Sequence, residues 1–132
     1  HCTDCRRLTG RAFAINAWIE KDQVALLSGE LASFAFTDAG RDNSVHFCPR
    51  CGTYIWTEYR PGFWFVRVGA LDDPKAFAPD VHIFTRSKQP WLELSGDVPV
   101  FDAYYDRNLV WRPESLARFQ VIEAGRQGKA AP

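Results

Sequence analysis

All four cysteines of the chain fall into two Cys-x-x-Cys pairs, Cys2/Cys5 and Cys48/Cys51. Two cysteines separated by two residues can aim both sulfurs at one point from a tight turn, and thiolates so arranged are common zinc donors. A closed structural site takes four ligands in a tetrahedron, with Zn–S distances of about 2.3 Å. Cys48-Pro49-Arg50-Cys51-Gly52 carries the turn chemistry such a site wants. Proline presets φ after the first cysteine, and glycine after the second permits a left-handed backbone. Cys2-Thr3-Asp4-Cys5 has the same spacing without either residue, and is followed instead by Arg6 and Arg7. Three other uses of cysteine compete. Buried apolar thiols would not all fall into this spacing by accident, and two small disulfide loops would stabilise little. A redox dithiol wants its first cysteine at a helix N-terminus, whereas Gly52-Thr53-Tyr54-Ile55-Trp56-Thr57 reads as strand. Zinc binding by Cys2, Cys5, Cys48 and Cys51 is the favoured expectation.

The elements that must hold these pairs read mostly as strands. In residues 13–19, Phe13, Ile15, Ala17 and Ile19 alternate along one face, as a half-buried strand requires. Further runs of aromatic and β-branched residues cover 23–27, 31–36, 44–47, 53–59 and 63–68. Turn residues bound them, among them Ser28-Gly29, Asp38-Ala39-Gly40 and Arg60-Pro61-Gly62. The second cysteine pair lies between two of these runs, as the tip of a hairpin would. Proline and charge interrupt residues 72–90, where Asp72-Asp73-Pro74 reads as a turn. A short helix is expected from Pro113, with Leu116, Phe119 and Ile122 as its apolar stripe. Residues 1–124 read as one domain and 125–132 as a flexible tail.

Composition bounds the function classes. At 132 residues, with 46% apolar residues and many aromatics, the chain is a folded domain able to bury a core. Sixteen basic residues balance sixteen acidic ones, which argues against nucleic acid as a partner. No run approaches the roughly 20 apolar residues of a membrane-spanning helix, so no membrane partner is expected. The chain opens within the first motif, at His1-Cys2, and with no targeting signal in view a cytoplasmic location is expected.

Four blocks in order resemble the glutathione-dependent formaldehyde-activating enzyme/centromere protein V family. They are His1-Cys2-Thr3-Asp4-Cys5-Arg6-Arg7-Leu8-Thr9-Gly10-Arg11-Ala12-Phe13, Phe47-Cys48-Pro49-Arg50-Cys51-Gly52-Thr53, Val68-Gly69-Ala70-Leu71-Asp72-Asp73-Pro74, and Pro79-Asp80-Val81-His82-Ile83-Phe84 followed by Pro90-Trp91. The resemblance implies a mainly-β protein, a β-tent of antiparallel sheets with zinc knuckles. It also implies two zinc sites, Cys48 and Cys51 serving the structural one and Cys2 and Cys5 the other. The family's upstream Cys-x-Cys and the first cysteine of its second site do not occur in the sequence. Two arrangements follow: one zinc held by all four cysteines, or two zincs each retaining one pair. The second is favoured because the blocks are collinear.

The function implied by the resemblance is a zinc-dependent carbon–sulfur lyase of the S-hydroxymethylglutathione synthase type. It would act on the adduct of glutathione, or a related small thiol, with an aldehyde such as formaldehyde. Arg6 and Arg7 are candidate partners for the ligand's carboxylates, because guanidinium binds carboxylate bidentately. His1, His46 and His82 are weaker candidates for supporting roles, and Phe63-Trp64-Phe65 and Tyr104-Tyr105 read as core. The alternative function is a non-catalytic zinc module that binds protein or nucleic acid.

Overall fold

The computed structural model describes residues 1–38, 41–94 and 96–129. Helix α1 (Thr3–Thr9) precedes strands β1 (Asn16–Glu20), β2 (Ala32–Asp38), β3 (Arg41–Phe47), β4 (Tyr54–Arg60) and β5 (Phe63–Arg67), and helices α2 (Arg107–Val110) and α3 (Pro113–Lys129) follow. The chain forms two compact units. One is Ala14–Ala78; the other joins His1–Phe13 to the segment from Pro79 onward.

The Ala14–Ala78 unit is a single antiparallel sheet in the order β1-β5-β4-β3-β2. Its strand residues are the aromatic and β-branched types that pack well on a pleated surface. Strand β5, Phe63-Trp64-Phe65-Val66-Arg67, lies between β1 and β4 and is the most buried of the five. Pro61-Gly62 turns β4 into β5, with Gly62 at a positive φ of 91° and Arg60 opposite Phe63. Alternation places Trp18, Phe63, Phe65 and Val45 on the core face, where Trp18 and Phe65 meet at 4.2 Å between ring centroids. The opposite face carries His46, Trp56 and Trp64, with Trp64 5.1 Å from His46 and 5.4 Å from Trp56. Lys21 lies 4.1 Å above the Trp64 ring and pairs with Glu58 at 2.5 Å.

In the other unit, α3 starts at Pro113, where a fixed φ and a missing N–H cost nothing in the first turn. Phe119 packs edge-on against Trp111, whose indole N–H donates to the buried Tyr105 hydroxyl at 2.6 Å. Burial pushes the Tyr105 phenol pKa up. The helix continues to Lys129, through residues 125–129 that the sequence assigns to a tail; residues 130–132 lie outside the described residues.

Two expectations about fold are corrected. The architecture is mixed α/β, since helices of seven, four and seventeen residues stand beside the five strands. The sheet is open: among the described residues β1 and β2 are edges, and it does not form a mainly-β tent built on zinc knuckles. At the level of single elements, residues 23–27 form no strand, because the chain leaves β1 through a short 3-10 turn at Lys21–Gln23 into an exposed loop. The expected strand at 13–19 is shortened to Asn16–Glu20.

Candidate functional site

The first cysteine pair sits on a helix. Cys2 is the residue before α1 and Cys5 lies within it, with the Arg6 amide donating to the Cys2 carbonyl at 3.0 Å. The Thr9 hydroxyl donates to the Cys5 carbonyl at 2.7 Å. Gly10 ends the helix at φ 65°, and its amide donates to the Arg6 carbonyl at 2.8 Å, the left-handed ending that glycine adopts most readily. Both thiols are half-buried. Arg6 is half-buried with its Nε enclosed and without a hydrogen-bond partner, whereas Arg7 is exposed.

His1 fastens this turn to the 82–87 segment. Its backbone nitrogen donates to the Ile83 carbonyl at 3.1 Å, and its carbonyl accepts from the Ser87 hydroxyl at 3.0 Å. Its ring Nε2 lies 3.4 Å from Nδ1 of His82, and the ring packs on Phe13 at 5.7 Å. Burial lowers the His82 pKa.

The second pair sits at the tip of the β3–β4 hairpin. The Cys48 amide donates to the Thr53 carbonyl at 2.9 Å, and the Gly52 amide donates to the Cys48 carbonyl at 2.8 Å. Gly52 has φ 72°, the left-handed conformation anticipated from its type and place. A register shift between His46 and Phe47 lets the strands diverge just before the turn. Cys48 is half-buried and Cys51 exposed. The Cys51 sulfur lies 3.2 Å from the Thr53 hydroxyl. Hydrogen bonding from the Thr53 side chain, then from its backbone and from Cys48, lowers the Cys51 thiol pKa.

The cysteine pairs therefore occupy different units and different kinds of backbone. Among the described residues, no group of three or more His, Cys, Asp or Glu side chains is placed to hold a metal ion. A closed zinc site needs four donors and an open one needs three from the protein. The expected use of Cys2, Cys5, Cys48 and Cys51 as zinc ligands, in one site or two, finds no such donor group. Zinc as cofactor, the zinc-dependent carbon–sulfur lyase and the non-catalytic zinc module are corrected with it, since each requires that group. Sequence reasoning also missed the anchoring of His1 by Ile83, His82 and Ser87. Only the third contact class, a hydroxyl near a turn, has any sequence signal, and it is weak.

Residues 1–87 match the family model described as glutathione-dependent formaldehyde-activating enzyme, and the chain belongs to that family. No curated protein matches it. Among the described residues, no helix is long and apolar enough to cross a membrane.

Proposed function

We propose that this protein binds a small thiol of the glutathione type, and that the α1 turn carrying Cys2, Cys5, Arg6 and Arg7 receives it. The observation that supports this reading is the pairing of two half-buried thiols, one just before a short helix and one within it, with two successive arginines on that helix, in a chain of this family. Glutathione carries two carboxylates, and each guanidinium offers a planar fork of donors for one of them. Arg7 is exposed, so its guanidinium is open to a ligand, and the half-buried Arg6 precedes it on the same helix. Among the described residues none of the four cysteines is in a disulfide, which fits a reducing compartment, and a cytoplasmic setting is part of the proposal.

Calorimetric titration with reduced glutathione tests it. A charge-assisted hydrogen bond contributes about 1.5–3 kcal/mol, so Arg7→Ala is expected to weaken binding by about tenfold or more. Arg50→Ala, on the other cysteine turn, is expected to leave it unchanged. Absence of heat with the unmodified protein, or equal losses in the two variants, would overturn the proposal.

A further inference from the structure

The β3–β4 hairpin turn holds two thiols of unequal access, Cys51 exposed and Cys48 half-buried. The Gly52 amide donates to the Cys48 carbonyl four residues back, so the turn is closed by a bond of the helical kind. Side chains three residues apart on such a turn lie on the same side. The Cys48 and Cys51 side chains accordingly hydrogen-bond to each other. The Cys51 thiol also donates to the Thr53 hydroxyl at 3.2 Å. A hydroxyl rotates, so Thr53 can turn and donate to the sulfur once the thiol has lost its proton.

The strand that follows Cys51 argues against a redox dithiol mounted, as is usual, at a helix N-terminus. The turn meets the same two needs without a helix. It presents one accessible sulfur with a hydroxyl beside it, and it holds a second sulfur in reach behind the first. A disulfide wants its Cβ atoms about 3.8 Å apart, against about 5–6 Å for residues three apart on a helical turn. Pro49, Arg50 and Gly52 are all exposed, so the turn can tighten by that amount without moving the core of the sheet. Cys2 and Cys5 have the same spacing, but both are half-buried. A reagent arriving from solvent therefore meets Cys51 first.

We propose that Cys48 and Cys51 form a thiol–disulfide exchange site whose co-substrate is a small disulfide. The Cys51 thiolate attacks one sulfur of the disulfide, which forms a mixed disulfide and releases one thiolate to take up a proton. The Cys48 thiol gives its proton to solvent and attacks the Cys51 sulfur, closing the Cys48–Cys51 bond and releasing the second thiol. The protein loses two electrons and two protons, and the small disulfide gains both. Exposed disulfides are the labile ones, so excess thiol returns the pair to its reduced form. The inference stands independently of thiol binding at α1, because a reduced thiol brings no disulfide to exchange.

The test treats the full chain, in buffer containing EDTA, with bis(2-hydroxyethyl) disulfide, which has no carboxylate for Arg6 or Arg7. Samples are alkylated at intervals and mapped by peptide mass. The Cys48–Cys51 disulfide should form severalfold faster than any oxidation of Cys2 or Cys5, and dithiothreitol should reverse it. Cys48→Ser should stop at a mixed disulfide on Cys51, and Cys51→Ser should slow modification of Cys48 severalfold. Where a variant does not fold, the order of the two pairs in the unmodified chain still decides. Oxidation of Cys2 and Cys5 at an equal or greater rate, or a mixed disulfide that persists on Cys51 with Cys48 intact, would overturn the site.

Discussion

The two cysteine turns share a spacing and little else. Cys2 precedes and Cys5 lies within a seven-residue helix, and His1 at its start is fastened to Ile83 and Ser87. Cys48 and Cys51 cap a hairpin turn closed by its own backbone, the Cys48 amide donating to the Thr53 carbonyl and the Gly52 amide to the Cys48 carbonyl. The helical turn is followed by two arginines and shelters both thiols. The hairpin turn exposes Cys51 and sets its sulfur in hydrogen-bond contact with Thr53, which lowers the thiol pKa. Identical Cys-x-x-Cys spacing therefore yields two chemical environments, because the backbone on which it is mounted decides exposure, hydrogen bonding and neighbours.

The largest perturbation removes the support beneath the hairpin. Phe65 is 7% exposed and packs against Trp18 and Tyr59, so Phe65→Ala should cost about 3–5 kcal/mol. Chemical denaturation measures that cost, and alkylation of the half-buried Cys48 should quicken as the sheet opens more often.

Each turn also depends on a left-handed glycine, which sharpens the comparison. A Cβ at Gly10 or at Gly52 would meet nothing within 4 Å, so backbone strain alone sets the penalty. Gly52→Val and Gly10→Val should each cost about 1–2 kcal/mol. The two variants should raise thiol alkylation at different pairs, Cys48/Cys51 for the first and Cys2/Cys5 for the second. Peptide mapping after a brief iodoacetamide pulse distinguishes them.

A smaller effect concerns Thr53. Its hydrogen bonds stabilise the Cys51 thiolate, so the thiolate fraction at neutral pH exceeds that of an ordinary thiol. Thr53→Val should slow Cys51 alkylation severalfold near pH 7. The two proteins should converge above about pH 9, where ordinary thiols are also ionised. The Cys2 and Cys5 rates should not change.

The smallest effect is a pH slope in stability. Burial, the leading cause, lowers the His46 pKa beside Trp56 and Trp64. As pH falls, the unfolded chain therefore takes up the proton first, near its ordinary pKa of about 6.5. Stability is full above that value and declines as pH drops toward the folded pKa. His46→Gln should flatten the decline in melting temperature between about pH 7.5 and pH 5.

Much of the sheet is legible in the sequence. Strands β2, β3, β4 and β5 begin within three residues of the aromatic and β-branched runs that predict them, and Pro61-Gly62 makes the turn its residue types imply. Pro113 begins the last helix as expected. Helix α1 is not legible, because seven residues with Leu8 as the only large apolar side chain offer no stripe to read. Its identity as a helix comes from the anchoring of His1 and the ending at Gly10, which are tertiary and conformational facts. The zinc expectation fails for a related reason. Spacing within a pair reports that two sulfurs can converge, but only the folded chain decides whether a third ligand joins them. Arg67 likewise looks like an ordinary strand-end arginine until its burial is seen.

Amide chemical-shift mapping during titration with reduced glutathione tests ligand binding at the helical turn most directly. Shifts confined to residues 1–10 and to the 82–87 segment that holds His1, saturating with ligand and lost in Arg7→Ala, are the predicted result. Shifts centred on residues 48–53 with an undisturbed α1, or none at all at saturating thiol, would contradict it.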